Sequence, residues 1–587
     1  MITYDFDYET YYDRDFSVKT LGNWMYTHDE RFDAYLLTVE GDNGYEWAGN
    51  PKEFDWERFN GQIGVAHNAG FDFAVTERLK ELGIAPAFTW AELYDTADLA
   101  AYLGYPRSLA SASFHLLGVS LSKEIRDKAK GKHWNEMTPE FQKQMLAYGK
   151  NDSKIGLRLW KEHGHKMPQW ERELSRLTRE MCWRGVPTDP AKVKAAITNL
   201  ETRLITARSL IPWVKDNPEA PVLSLKQAGL EARKHGVAPP KSFAKDSEEF
   251  AEWVTQYGEK FPWARGLGEY RSVNMLLQKL ITLKERTDSS GVFRYGLKYF
   301  GAHTGRDSGD SGFNPQNLAR KPMFGVDVRG CVITAPKGYI LGIADEAAIQ
   351  PKIVTLFSKD KEILDLLHKG QDIYEAQARI SHGYTNPEPL KESDPDFRKH
   401  MKVELLGCMF GAGAAKVQII AKQQVGLDIS FSEAEKIVNT FRKRKFIPNL
   451  WKHLESQIAK SAPGDWELEL PSGRIMNYRN VRSFGNTSAE IPRLGKMLRV
   501  KLWGGTLCEN LAQAVERDIV MWHVLQIVSA GFQILLRAHD ELVLLLKESE
   551  AETKLAEALA IMSQPPPWLK EFPAGAEGQL SKSYKKI

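Results

Sequence analysis

Two short apolar runs near the C-terminus, residues 532–536 and 542–546, are separated by a polar stretch that ends in His539-Asp540-Glu541. Each run suits one buried strand, and together they read as a hairpin with acidic residues at its bend. A further apolar strand candidate, residues 339–345, ends in Asp345, about 200 residues earlier. Two carboxylates at separate strand ends can hold the two divalent cations that phosphoryl transfer uses, because that chemistry needs little covalent help from protein. Acidic turn residues beside apolar strands are common, and Asp345 taken alone is more often one of those than a metal ligand.

At 587 residues the chain is too long for one compact core, so several domains are expected. A net charge of +3 does not by itself announce a nucleic-acid binder, although a basic surface offset by acidic sites gives the same sum. Cys182, Cys331, Cys408 and Cys508 form no C-x-x-C pair, which argues against structural zinc and against a disulfide framework. A reducing, cytoplasmic setting is expected. The N-terminus is acidic and unlike a signal peptide, and no apolar run approaches the ~20 residues of a membrane span.

The first 165 residues read as mixed α/β, with strands at 2–8 and 62–66 and helices at 73–82 and 139–162. Residues 170–283 carry long charged helical patterns, broken at Arg184-Gly185-Val186-Pro187 and at Pro239-Pro240. Residues 360–460 are helical again, and a long helix spans about 507–530.

Asp7 and Glu9, two apart on a strand, share one face, where they repel each other unless a cation lies between them. Asp72 follows the loop His67-Asn68-Ala69-Gly70-Phe71, and Tyr148 lies one helical turn before Asp152. Four acids and a tyrosine suit a two-metal phosphodiester hydrolase in which Tyr148 orients water. In order, D-x-E, N-x-x-F-D and Y-x-x-x-D resemble the motifs of DnaQ-like 3′→5′ proofreading exonucleases. The resemblance implies that Asp7, Glu9, Asp72 and Asp152 bind metal, while His67 is expected to stabilise its loop.

Steps of four place Arg398, Lys402, Leu406 and Phe410 along one side of a helix, with Gly411 and Gly413 at its end. A cationic pair followed by apolar and aromatic residues can grip a triphosphate and stack beneath a base, or can simply be an amphipathic helix with a basic end. Asp345, Arg398-x3-Lys402-x7-Phe410-Gly411 and His539-Asp540-Glu541 together resemble motifs A, B and C of family A DNA polymerases, the class of bacterial DNA polymerase I. Thr304-Gly305-Arg306 with Asn314-Pro315-Gln316-Asn317-Leu318, Gln371-Asp372-Ile373-Tyr374, Leu470-Pro471-Ser472-Gly473-Arg474 and Glu509-Asn510-Leu511-x-Gln513-Ala514 resemble further stretches of phage members. So does the C-terminal set of Trp568, Ala576-Glu577-Gly578 and Tyr584.

The resemblance implies an α/β, RNase H-like exonuclease domain (1–165), then an α+β right hand. Its thumb and start of palm fall at 166–330, motif A of the palm at 331–360, the fingers at 361–460, and motif C with the C-terminus at 461–587. No 5′-nuclease domain is expected before residue 1. It further implies Mg²⁺ at two-metal sites, with Mn²⁺ as a substitute, held by Asp345 and Asp540 and, in the exonuclease, by Asp7, Glu9, Asp72 and Asp152. Glu541 would assist. Arg398, Lys402, Leu406, Phe410, Gln350 and Tyr374 would contact the incoming nucleotide, and Arg306, Asn317, Gln513 and His539 the DNA. The partners would be primer–template DNA and dNTPs, together with replication proteins such as a helicase or primase. The protein would be a monomer in the cytoplasm of an infected host cell.

Motif A departs from the family pattern, reading D-E-A-A-I-Q where D-Y-S-Q-I-E is usual. The family glutamate is Gln350, the family tyrosine is Phe410, and Leu406 replaces an aromatic residue. The two first changes are expected to compensate each other, and Glu346 to point away from Asp345. Such changes around the nascent pair leave room for a modified base such as 2-aminoadenine. They also motivate an alternative, an exonuclease whose polymerase half is a silent DNA-binding module. A non-enzymatic scaffold leaves both acid sets unexplained, and a proofreading exonuclease argues for DNA over RNA synthesis. Basic runs at 123–132 and 442–445 are either phosphate contacts or solvated faces.

Overall fold

The computed structural model describes residues 1–122, 124–243 and 248–585. Lys123, at the start of the first basic run, lies outside the described residues. Among the described residues, no helix is long and apolar enough to cross a membrane.

The N-terminal region is built on a five-stranded sheet. Its strands are β1 (Thr3–Thr10), β2 (Ala34–Gly41), β3 (Glu46–Gly49), β4 (Ile63–Ala66) and β5 (Glu92–Asp95), in the order β3-β2-β1-β4-β5. β1 pairs antiparallel with β2 and parallel with β4. Alternation along β1 decides its two faces. Tyr4, Phe6 and Tyr8 enter an aromatic core, where Phe6 stacks on Trp90 with ring centroids 5.1 Å apart. Asp5, Asp7 and Glu9 fall on the other face, and the helix Pro139–His163 packs on this sheet. That helix starts on a Thr138 cap with Pro139 in its first turn. It approaches closely because Gly149 and Gly156 carry no Cβ: one on Gly156 would lie 2.2 Å from the Asp5 carboxylate.

The predicted break at residues 184–187 is real. Gly185, at φ 71°, ends the helix Gln169–Arg184, and Val186–Pro187 then pairs with Val292–Phe293. Beyond it the helices Pro190–Ser209 and Pro262–Glu285 pack along each other. The Pro239-Pro240 break also holds, between the helices Leu225–Lys234 and Glu248–Tyr257.

The central sheet places the strand Tyr339–Glu346 between Glu541–Lys547 and Ala576–Ser581, with Gln533–Ala538 outermost. All three pairings are antiparallel. Leu341, Ile343, Leu542, Val543 and Leu544 are buried, which explains the apolar runs in the sequence. The C-terminal strand is small and polar, and its sequence carries no strand signal. A four-stranded antiparallel meander over Gly464–Glu469, Ile475–Phe484, Asn486–Arg493 and Lys496–Lys501 was not anticipated either. It buries few side chains, Met476, Tyr478, Val481 and Ala489 among them, so its alternation is masked by charge on both faces. Asn510 on the helix Gly504–Ser529 anchors it by donating to the Tyr478 hydroxyl at 3.0 Å.

Candidate active sites

In the central sheet Asp345 pairs across the ladder with Glu541, so both side chains share one face at the sheet end. His539 and Asp540 make the hairpin bend, with His539 in the left-handed region at φ 63°. A cleft here is lined by Asn317, Arg329, Asp345, His539, Asp540 and Glu541. His539 Nε2 lies 3.4 Å from Asn317 Oδ1. Glu541 is buried and firmly held: Arg329 donates to it at 3.2 Å, and the Tyr584 hydroxyl donates to the same oxygen. Glu346 points away as expected, and its carboxylate lies 2.6 Å from His523 Nδ1 inside the core.

Arg306 does not stand free beside the cleft. It forms an ion pair with Glu516 on the helix Gly504–Ser529, against which the helix Ile349–Ser358, carrying Gln350, is packed. Burial pushes Glu516 up to about 7, against the opposing charge of Arg306. Gln513, one turn before Glu516, donates to Glu509 at 3.0 Å.

The helix Pro395–Cys408 shows the predicted stripe. Arg398, Lys402 and Leu406 are half-buried while Met401, Val403, Leu405 and Cys408 are buried, and Phe410 follows the helix end, also half-buried. Gly411 takes φ 80° there. Arg398 already has partners: it donates to Asp372 at 2.7 Å and lies 4.9 Å over the Tyr374 ring. Tyr374 itself is buried, so it supports Arg398 from beneath. In the basic run 442–445, Arg444 bonds both Asp360 oxygens at 2.6 Å, and Arg442 reaches the Gly411 and Ala412 carbonyls at 3.3 Å. Lys445 donates to the Arg442 carbonyl at 3.2 Å, so three of the four residues of that run make protein contacts.

In the N-terminal region Glu9 and Asp72 are buried and Asp7 is half-buried. Burial first, and then the neighbouring acids, push Asp7 well above the usual carboxylate range. Burial pushes Glu9 up to about 7, with Arg126 opposing and Asp152 adding to the rise. Tyr148 hydrogen-bonds Asp152, as one helical turn allows. Asp72 accepts from the Tyr8 N–H at 3.4 Å. Both His67 nitrogens are engaged, at 2.9 Å by Thr96 Oγ1 and at 2.7 Å by the Arg107 carbonyl, so it holds its loop.

Sequence reasoning missed several residues. Asp5 lies beside Asp7, buried with one oxygen that no protein group reaches. The period of two on β1 was the signal that could have found it. Asp95 fixes the 67–70 loop by accepting from the N–H groups of Asn68 and Ala69, at 3.0 and 2.9 Å, while capping the next helix. Arg126, Arg329 and Glu516 come together with their sites only through tertiary packing.

Among the described residues, no group of three or more His, Cys, Asp or Glu side chains stands ready to hold a metal ion. The donor chemistry nonetheless fits. Buried carboxylates that raise one another's pKa are relieved by a cation, and oxygen donors suit Mg²⁺ or Mn²⁺.

Residues 227–471 match the profile of DNA polymerase family A. The DNA polymerase of Bacillus phage SP02 is 26% identical over 272 residues, which is 42% of this chain and 41% of that protein. The chain therefore spans less than half the length of that relative. The DNA polymerase of Mycobacterium phage D29 is 21% identical over 553 residues, covering 85% of this chain and 80% of the other. Among solved structures, the POL domain of Pol1 from M. smegmatis, in complex with DNA primer-template and dNTP, superposes with a TM-score of 0.69. That match has 18% identity and covers 94% of this chain and 93% of the other, so it defines the fold as that of a polymerase domain. Over residues 227–471 the chain is thus similar to the family A DNA polymerase domain, and the proteins it resembles are phage and bacterial DNA polymerases.

Proposed function

We propose that the chain is a template-directed DNA polymerase that also removes 3′-terminal nucleotides through its N-terminal acids. One observation carries the polymerase half: Asp345 and Asp540, about 200 residues apart in sequence, line one cleft with Asn317 and His539. Asp345 and Asp540 would hold divalent cations, which supply charge stabilisation at the attacking and leaving oxygens of phosphoryl transfer. Arg329 and Tyr584 keep Glu541 fixed beside them. Lys402, with Arg398 behind it on Asp372, offers positive charge to a triphosphate. Leu406 and Phe410 present an apolar shelf for the sugar and base.

In the N-terminal site Asp7, Glu9, Asp72 and Asp152 would hold cations in the same way, and Tyr148, bonded to Asp152, would orient a water. This half rests on the buried, mutually repelling acids and on the RNase H-like resemblance of the motifs. The changes at Gln350, Leu406 and Phe410 extend the reading to templates or nucleotides with a modified base.

The test is a 5′-labelled primer on a longer DNA template with Mg²⁺, with and without dNTPs, including 2-aminoadenine nucleotides. Asp540→Ala should lose extension alone, and Asp7→Ala should lose only the shortening seen without dNTPs. Shortening without extension by any nucleotide would leave the exonuclease with a silent DNA-binding module.

A further inference from the structure

The four-stranded meander turns a basic face to solvent. Between Arg482 and Lys501 lie five basic residues against the single acid Glu490, although the whole chain sums to only +3. Strand register decides which of them share a face. Ser488 pairs with Arg482 on one side and with Lys501 on the other, so these three side chains form one row across three strands. Phe484, two residues beyond Arg482 at the hairpin end, projects from the same face and is 100% exposed. In the neighbouring row Arg479 is paired with Asp465 at 2.8 Å and Arg499 with Glu490 at 2.7 Å. Arg482 and Lys501 are exposed and, among the described residues, belong to no ion pair. On the opposite face Ala489 is buried and Ile491 and Val500 are half-buried, and the helix Phe446–Lys460 packs on this sheet. The strand Ile475–Phe484 also touches both halves of the chain. A Cβ on Gly104 of the N-terminal region would stand 3.2 Å from Asn477, and Arg479 lies 5.4 Å over the Tyr105 ring. Tyr478 meets the His303 ring at 4.8 Å and Asn510 at 3.0 Å on the polymerase side.

We propose that this face binds single-stranded DNA on its way between the polymerase cleft and the N-terminal acids. Arg482 and Lys501 take backbone phosphates, and Phe484 stacks on a base. The inference rests on the polymerase reading above. Charge selects the occupant: cations that no acid on the protein answers are relieved by a polyanion. The aromatic ring selects the form. Unpaired bases offer a free face to a ring beside cations, whereas the bases of a duplex are already stacked on one another. An apolar protein surface fits poorly, because Phe484 stands alone among charges rather than in a contiguous apolar patch.

The experiment measures binding of a fluorescein-labelled DNA strand, alone and as a blunt duplex, to the full chain in EDTA over a range of salt. The proteins are wild type, Phe484→Ala, Arg482→Ser with Lys501→Ser, and Arg493→Ser with Lys496→Ser. The last pair removes the same charge from the opposite face, since Arg493 and Lys496 pair with each other an odd number of residues from the basic row. Phe484→Ala should weaken single-strand binding about 10-fold, the loss of one base stack, with duplex binding and melting temperature at wild type. Arg482→Ser with Lys501→Ser should flatten the dependence of log Kd on log salt by about 1.4, two phosphates' worth of released counterions. Arg493→Ser with Lys496→Ser should keep the wild-type slope. Wild-type affinity in both Phe484→Ala and the Arg482 and Lys501 variant overturns the proposal. So does an equal change of slope in the two charge variants, or an equal loss on duplex and single strand. Primer extension by wild type is run alongside. Unchanged binding with extension intact sinks this surface alone, whereas no extension with any dNTP sinks the polymerase reading and the path between the two sites with it.

Discussion

Asp345 and Glu541 face each other across adjacent antiparallel strands, and Asp540 precedes Glu541 at the bend, so three acids meet at one end of the central sheet. Their roles separate by environment. Glu541 is held by Arg329 and Tyr584, while Asp345 and Asp540 are the less buried pair. Asp345→Asn or Asp540→Asn should therefore reduce primer extension on the order of 100-fold or more, by the loss of an electrostatic anchor for phosphoryl transfer. Tyr584→Phe, which leaves the Arg329 contact to Glu541, should cost far less. Extension rates under saturating dNTP compare the three.

Gly411 should not tolerate a side chain. Its φ is 80°, and a Cβ there would stand 2.3 Å from the Trp503 ring. Gly411→Ala should destabilise the end of the helix Pro395–Cys408 by about 1–3 kcal/mol, through backbone strain and the clash together. Thermal unfolding reads the stability, and extension reads the misplacement of Phe410. Trp503→Leu in the Gly411→Ala background should recover part of the loss, because it removes the clash and leaves the strain.

The Glu346–His523 pair is fully inside the core, at 1% and 0% exposed, and His523 also reaches the Gln564 carbonyl at 2.9 Å. Removing one partner, as in His523→Leu, should cost about 3–5 kcal/mol by leaving a buried acid unpaired. Glu346→Leu combined with His523→Leu should recover most of that. Chemical denaturation of the single and double variants tests it.

The N-terminal acids predict a pH and cation response. Glu9 is pushed up to about 7 by burial, and Asp7 and Asp72 are also raised. Each folded-state pKa lies above its unfolded value, so the folded chain binds protons more tightly. The stabilisation this gives is fully present below the unfolded glutamate pKa of about 4.3, and is lost as pH rises through about 7. Without divalent cations, thermal unfolding should thus occur at lower temperature at pH 8 than at pH 6. Mg²⁺ should raise the melting temperature more at pH 8, and Asp7→Asn with Glu9→Gln should shrink the difference between the two conditions, leaving only the part due to Asp72 and Asp5.

The central hairpin and the strand ending at Asp345 were legible because buried strands must be apolar, and the helix carrying Arg398, Lys402 and Leu406 was legible from its period of four. The break at Gly185 was legible because a left-handed residue favours glycine. The meander over residues 464–501 was not, since a sheet with charge on both faces shows little alternation. The strand Ala576–Ser581 was not either, because its pairing comes from a neighbour more than 200 residues away.

Local pattern by itself determined which segments are strands or helices, and which acids stand at strand ends, because burial imposes a period on each element. It could not determine which side chains meet. That Arg306 pairs with Glu516, that Arg329 and Tyr584 hold Glu541, and that Asp5 lies beside Asp7 beneath Gly156 are outcomes of packing between distant segments. A charged residue carries no mark of its partner in the sequence, and only the closing of the core sets which opposite group lies within reach.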